Sequence, residues 1–375
     1  MLCCLGIGRG PCVGQAASVN ARPLPFPPLQ ESAEERTYAE ADLLDDLGEL
    51  FFPSAPIETL PRVTLGGTPI GIALENKGIT VVGVTEVISN GRKRCPALEA
   101  GIALGDVILT LNGVSTDNVQ ILSRIVAESQ GEKLSVEFLH AGVRKVSEIL
   151  PQKDDATGAY QLGIQAKENS SGIGTLTFTM QDGSFACLGH PICDAKTGQA
   201  VRISGGKVYA STILGVKKGE RNQAGELQGI FTDRTPLGDV WENQKLGVYG
   251  KWYRAPGGRS IALASVGEVV PGRAQIYTTV EGQIPAWYDV EIVKATPQRE
   301  ADDKGLILTV TDQRLLEKTG GIVQGMSGSP IVQNGKLVGA VTHVFLNAPT
   351  RGYGVYAQWM YRQLQRLAET EQNAA

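Results

Sequence analysis

Turns come so often in this chain that long helices have little room. Glycine fills 46 of 375 positions, about 12% where ~7% is usual. Glycine takes the positive φ that tight turns need, so the excess predicts many hairpins. From Tyr160 to Tyr361 short apolar stretches recur between glycine-bearing turns, at 174–179, 208–214, 275–280 and 306–311. That spacing predicts a β sandwich or barrel, closed by an amphipathic helix over 356–370. Apolar residues make up 42% and charged residues 20%, the balance of a globular chain. The net charge of −4 gives no electrostatic footprint for nucleic acid. Apolar runs stay below the ~18 residues of a membrane-spanning helix, and six cysteines are too few for a disulfide-built fold.

The first sixty residues have a different texture. Met1 to Ile7 is a short apolar run without the basic start or length of a secretory signal. It reads either as the tail of an export or anchor segment or as a disordered leader. Residues 22–28 are proline-rich, and 31–50 carry eight acidic residues with Leu43, Leu44, Leu47 and Leu50 at helical spacing. Residues 1–61 are therefore read as leader and linker, with one acidic amphipathic helix.

Arg62 begins a second texture. Pro69-Ile70-Gly71-Ile72 opens it, Pro96-Ala97-Leu98-Glu99-Ala100-Gly101-Ile102 and Leu104-Gly105-Asp106-Val107-Ile108 follow, and Leu111-Asn112-Gly113 makes a turn. A helix is expected over 118–129 with Val119, Leu122 and Val126 on one face, then a strand with Leu134, Val136 and Phe138 alternating. This segment, 62–152, resembles a PDZ domain, an α+β fold. The resemblance implies that Ile70, Gly71 and Ile72 form a carboxylate-binding loop, where a peptide adds as a strand to the sheet edge. Whether the groove takes a free C-terminus, an internal loop or part of this chain stays open.

The sharpest chemical signal is Gly325-Met326-Ser327-Gly328-Ser329-Pro330. Glycines flanking a serine let the backbone fold around its hydroxyl and turn the N–H groups of Gly325 and Ser327 toward one point, the arrangement of an oxyanion hole. A serine nucleophile needs a base, and the chain has three histidines. His140 ends a strand of the small domain and reads as structural. His190, in Leu188-Gly189-His190, precedes the serine as in chymotrypsin-like proteases. His343 follows it by sixteen residues, where that fold places the strand lining the substrate cleft. Cys187, His190 and Cys193 have metal-like spacing, but no second cluster completes a zinc site, so no metal and no cofactor are expected. Cys187 and Cys193 read as buried thiols, with a disulfide conceivable in an oxidising space.

The run from Val310 to Ile331, Leu188-Gly189-His190, and a PDZ-like domain ahead of the β domain together resemble the stage IV sporulation protein B peptidases. HtrA proteases carry the PDZ domain after the protease instead. The resemblance implies a mainly β fold, a PDZ domain followed by a chymotrypsin-like double β-barrel over 158–370. It implies Ser327 as nucleophile, His190 as base and Asp312 as the orienting acid. Topology leaves Asp233 and Asp239 as alternatives to Asp312. The substrate pocket would be built from Gly321, Thr342, His343 and Gly354. Gly321 at the pocket base offers no carboxylate, so a small or apolar residue before the scissile bond is expected. The resemblance further implies an exported enzyme in the space between forespore and mother cell, close to membrane. Its substrates would be itself and a membrane-bound regulator of an intramembrane protease. The contrasting reading is a PDZ-bearing scaffold with an inactive protease-like domain.

Overall fold

The computed structural model describes residues 20–21, 60–116, 118–193, 198 and 200–374. The leader's apolar run, its proline stretch and its acidic helix lie outside the described residues.

A long strand, β1 (Pro69–Val84), leads into the PDZ-like unit of β2 (Val107–Leu111), α1 (Val119–Glu128), β3 (Leu134–His140) and β4 (Val143–Ile149). A second long strand, β5 (Ile164–Thr179), leads out again. β5 runs antiparallel to β1 from Ile164 opposite Val84 to Thr175 opposite Pro69. Asn118 caps α1, its Oδ1 accepting from the Ile121 N–H at 2.9 Å. Leu122 and Val126 of α1 pack with Ile79, Val81, Ile108, Val136, Phe138 and Ile164.

The two ends of β1 serve different cores. Ile70, Ile72 and Leu74 are buried in one cluster, while Ile79 and Val81 are buried in the other. Side chains two apart share a strand face, so the buried face passes from even to odd positions. The switch falls at Gly78, where φ is +86° and a Cβ would come within 2.4 Å of the Ile108 carbonyl oxygen. Only glycine fits there.

This corrects the expected boundary of the small domain. Residues 69–75 pair with β5 on one side and with β7 (Ile203–Lys217) on the other. They are a barrel strand, so the PDZ-like unit is inserted between the first two strands of the barrel. With β6 (Ser184–Cys187), β8 (Gly238–Gln244) and β9 (Gly247–Trp252), the ring closes in the order β1, β5, β6, β9, β8, β7 and back to β1.

The second ring is built from β10 (Gly272–Thr278), β11 (Ala286–Ala295), β12 (Leu306–Val310), β13 (Pro330–Gln333), β14 (Lys336–Phe345) and β15 (Ala348–Tyr356). It closes in the order β10, β11, β12, β15, β14, β13 and back to β10. Ile276, Ile292, Leu308, Ile331, Leu337 and Val355 fill it. The fold is thus mainly β, a PDZ domain and a chymotrypsin-like double barrel. Helix α2 (Gln313–Thr319) precedes the serine loop, and α3 (Ala357–Ala374) closes the chain with Trp359, Met360 and Leu364 buried.

Candidate active site

Ser327 sits in the loop between α2 and β13, and five consecutive carbonyl oxygens of that loop are held. Gln324 O accepts from the Leu227 N–H at 2.8 Å. Gly325 O accepts from Thr175 Oγ1 at 2.8 Å. Met326 O lies 2.6 Å from Ser329 Oγ and accepts from the Ser329 N–H at 2.9 Å. Ser327 O accepts from the Thr175 N–H at 3.1 Å, and Gly328 O from Thr177 Oγ1 at 2.8 Å. In a planar trans peptide the N–H points opposite the C=O. Fixing Gln324 O and Met326 O therefore fixes the N–H groups of Gly325 and Ser327, the expected oxyanion donors. Neither N–H takes part in the backbone hydrogen bonds seen among the described residues outside regular elements.

Glycines bring the loop to His190. Gly328 has φ +92°, and a Cβ there would meet Thr175 O at 2.1 Å and the Leu188 nitrogen at 2.5 Å. Leu188 and Gly189 both adopt positive φ, which turns the chain out of β6 and inward. A Cβ on Gly189 would meet Thr342 Cγ2 at 2.9 Å. These close approaches gather Ser327, His190 and Thr342-His343 into one place.

Ser327 is buried, and its hydroxyl donates to Thr342 O at 2.8 Å. His190 is fully buried with Nδ1 2.8 Å from Pro191 O. A carbonyl can only accept, so Nδ1 carries the hydrogen and Nε2 keeps the basic lone pair. Burial pushes the His190 pKa down to about 4, partly opposed by the Pro191 carbonyl. His343 lies beside it, ring centroids 4.9 Å apart. Its pKa is lowered to about 3, first by burial, then by His190 and Lys304. Both rings are neutral at pH 7.

Asp312 is placed differently from expectation. It is the N-cap of α2, with Oδ1 accepting from the Arg314 N–H at 2.9 Å. Its Oδ2 lies 2.7 Å from Arg314 Nη2. The Arg314 guanidinium, followed by backbone N–H donors, holds its pKa below the usual carboxylate range. Its side-chain contacts serve the helix start and do not include His190 or Ser327. Asp233 accepts from Thr235 in an exposed turn, and Asp239 pairs with Lys207 and Tyr253. The hydrogen bonds and ion pairs seen for the three carboxylates go to other partners than the imidazole.

The expected pocket divides. Thr342 and His343 reach the site. Gly321 backs onto Pro349, whose oxygen would lie 2.1 Å from a Cβ. Gly354 looks into the barrel toward Ile331. Gly352, two residues earlier, abuts the His343 carbonyl and Ile322 instead, a neighbour that the sequence reading missed. Cys187 is a buried thiol whose pKa is raised by burial, and Cys193 is buried with its Sγ 3.8 Å from Pro191 O.

The expected peptide-binding loop is placed differently. Ile70, Gly71 and Ile72 are paired to strands on both sides and cannot form a carboxylate-binding loop. A cavity of about 260 Å³ lies instead between α1 (Leu122, Ser123, Val126, Ala127) and residues 158–162 with Ile164. Leu162-Gly163-Ile164 there repeats the apolar-Gly-apolar pattern of Ile70-Gly71-Ile72. Of these two copies, only Leu162-Gly163-Ile164 stands beside α1.

The family described as SpoIVB peptidase S55 matches residues 158–361, and that described as PDZ domain matches residues 87–139. Among solved structures, the chain is similar to the active form of the Rv3671c protease from M. tuberculosis. Identity is 14%, 68% of this chain and 88% of that chain are covered, and the TM-score is 0.32. It is similar to the HtrA-type protease AlgW with decapeptide at 12% identity, with coverages of 56% and 55% and a TM-score of 0.28. It is also similar to the PDZ domain of the SdrC-like protein from Listeria monocytogenes at 19% identity, with coverages of 24% and 87% and a TM-score of 0.20.

Proposed function

Because the chain belongs to the SpoIVB peptidase S55 family and is a serine endopeptidase, we propose that Ser327 is its nucleophile and His190 its general base. The supporting observation is the serine loop, with every carbonyl from Gln324 to Gly328 held and the N–H groups of Gly325 and Ser327 turned the other way. In the resting state the Ser327 hydroxyl donates its hydrogen bond to Thr342 O. For attack the hydroxyl turns to His190 Nε2, which takes the proton as Oγ bonds to the substrate carbonyl carbon. The carbonyl π electrons move onto oxygen, where the two N–H groups stabilise them. Collapse expels the amine, which receives the proton from His190. Water then repeats the sequence on the acyl-enzyme and frees the acid. The Pro191 carbonyl keeps the hydrogen on Nδ1 and so holds the reactive tautomer.

The substrates are proteins. The groove beside α1 is suited to a chain end that adds as a strand along the 164–167 edge of β5. Family membership supports the finer reading: a sporulation-signalling protease, exported to the space between forespore and mother cell. There it cleaves itself and a membrane-bound regulator, releasing an intramembrane protease for late sigma-factor activation. Purified Ser327→Ala tests the chemistry. Peptide hydrolysis and self-cleavage should both disappear while the thermal transition stays in place; the corresponding loss in subtilisin is about 2 × 10⁶ in kcat. Hydrolysis near the wild-type rate in Ser327→Ala would overturn the reading.

A further inference from the structure

We propose that Thr175 and Thr177 of β5 are positioning residues for the nucleophile, acting through the Gly325 and Gly328 carbonyls. The proposal rests on the reading of Ser327 above. Residues two apart on a strand point the same way, so both hydroxyls face the serine loop. Both side chains are buried, Thr175 at 2% exposure and Thr177 at 0%. Thr175 Oγ1 donates to Gly325 O and Thr177 Oγ1 to Gly328 O, each at 2.8 Å. The Thr175 N–H holds Ser327 O between them.

Two of the five held carbonyls therefore depend on side-chain hydroxyls, and the others on backbone donors or on the loop's own Ser329. Gly325 and Gly328 have φ of +94° and +92°. Glycine backbones have wide freedom, so without an outside donor their peptide planes can rotate. The plane after Gly325 carries the Met326 N–H and leads directly into the plane of Met326 O and the Ser327 N–H. The plane after Gly328 carries the Ser329 N–H, which holds Met326 O at 2.9 Å, so rotation of either plane disturbs the Ser327 N–H and hydroxyl. Catalysis by oxyanion donors depends on such groups being fixed before the reaction. The threonines supply that fixation, their hydroxyls being spent on the Gly325 and Gly328 carbonyls.

Thr175→Val and Thr177→Val keep the shape and remove only the donors. On a short peptide substrate, kcat should fall about 10- to 100-fold, less than the 10²–10³ lost when an oxyanion donor is deleted outright. KM should stay unchanged. Thr175→Ser and Thr177→Ser, which keep the hydroxyl, should restore kcat. Thr116→Val is the control for simple destabilisation: Thr116 is equally buried and its hydroxyl donates to Ile108 O at 3.0 Å in the inserted unit. It should lower the melting temperature comparably and leave kcat alone. Full kcat in both valine variants, or an equal kcat loss in Thr116→Val, would overturn the proposal while the wild-type enzyme still turned over through Ser327. A wild type whose turnover survives Ser327→Ala would overturn the nucleophile assignment itself, and this proposal with it.

Discussion

In the proposed mechanism His190 acts as a base only while neutral, and its buried ring stays neutral far into acid. The free enzyme's kcat/KM should therefore hold as pH falls through 6.5, where an ordinary histidine protonates, and decline only toward about 4. A pH–rate profile with its acid limb near 6.5 would show that the imidazole is solvated in the working enzyme. Stability follows the same protons. The unfolded chain binds them near pH 6.5, whereas the folded protein does so only near 4 at His190 and near 3 at His343. Stability is complete above pH 6.5 and falls on acidification by about 1.4 kcal/mol per pH unit for each histidine. That Ser327 and His190 stand at close backbone approaches was legible in the sequence, because Gly325 and Gly328 flank one and Gly189 directly precedes the other. Asp312 was not legible. A carboxylate two residues before an arginine and at a helix start is satisfied locally, and chain order cannot show that.

Helix α2 depends on that same aspartate. Losing an N-cap acceptor costs about 0.5–2 kcal/mol, whereas Asn caps as well as Asp. Asp312→Ala should lower stability by about 1 kcal/mol in urea titration. Asp312→Asn should leave stability nearly unchanged, and its kcat should stay within about tenfold of wild type, in contrast to ~10⁴ for a triad carboxylate. A 10⁴-fold loss in Asp312→Asn would mean that the carboxylate leaves Arg314 for His190 in the reacting state. Strand β1 shows where sequence reading fails at this scale. Ile70-Gly71-Ile72 and Leu162-Gly163-Ile164 look alike locally, and both stand next to the small unit. What separates them is the passage of the buried face from Leu74 to Ile79 across Gly78, a phase shift visible only once two cores are known to share one strand.

At the scale of the whole molecule, the inserted unit makes the chain's apparent domains inseparable. The fragment 158–375 contains the whole family-matched region but lacks residues 69–75, which close the first barrel between β5 and β7. It also loses Ile70, Ile72 and Leu74, each worth about 1.5–3 kcal/mol when buried, against a usual total of about 5–15 kcal/mol. That fragment should show no cooperative unfolding transition, whereas 60–375 should; a sharp transition in 158–375 would contradict the closed ring. Both barrels are required because His190 follows a strand of one and Ser327 a loop of the other. The central claim is that this junction makes Ser327 reactive through His190. It is tested most directly by labelling the protein with a fluorophosphonate and locating the adduct by mass spectrometry. The account predicts a single adduct on Ser327, absent from both Ser327→Ala and His190→Ala. An adduct on another residue, or undiminished labelling of Ser327 in His190→Ala, would contradict it.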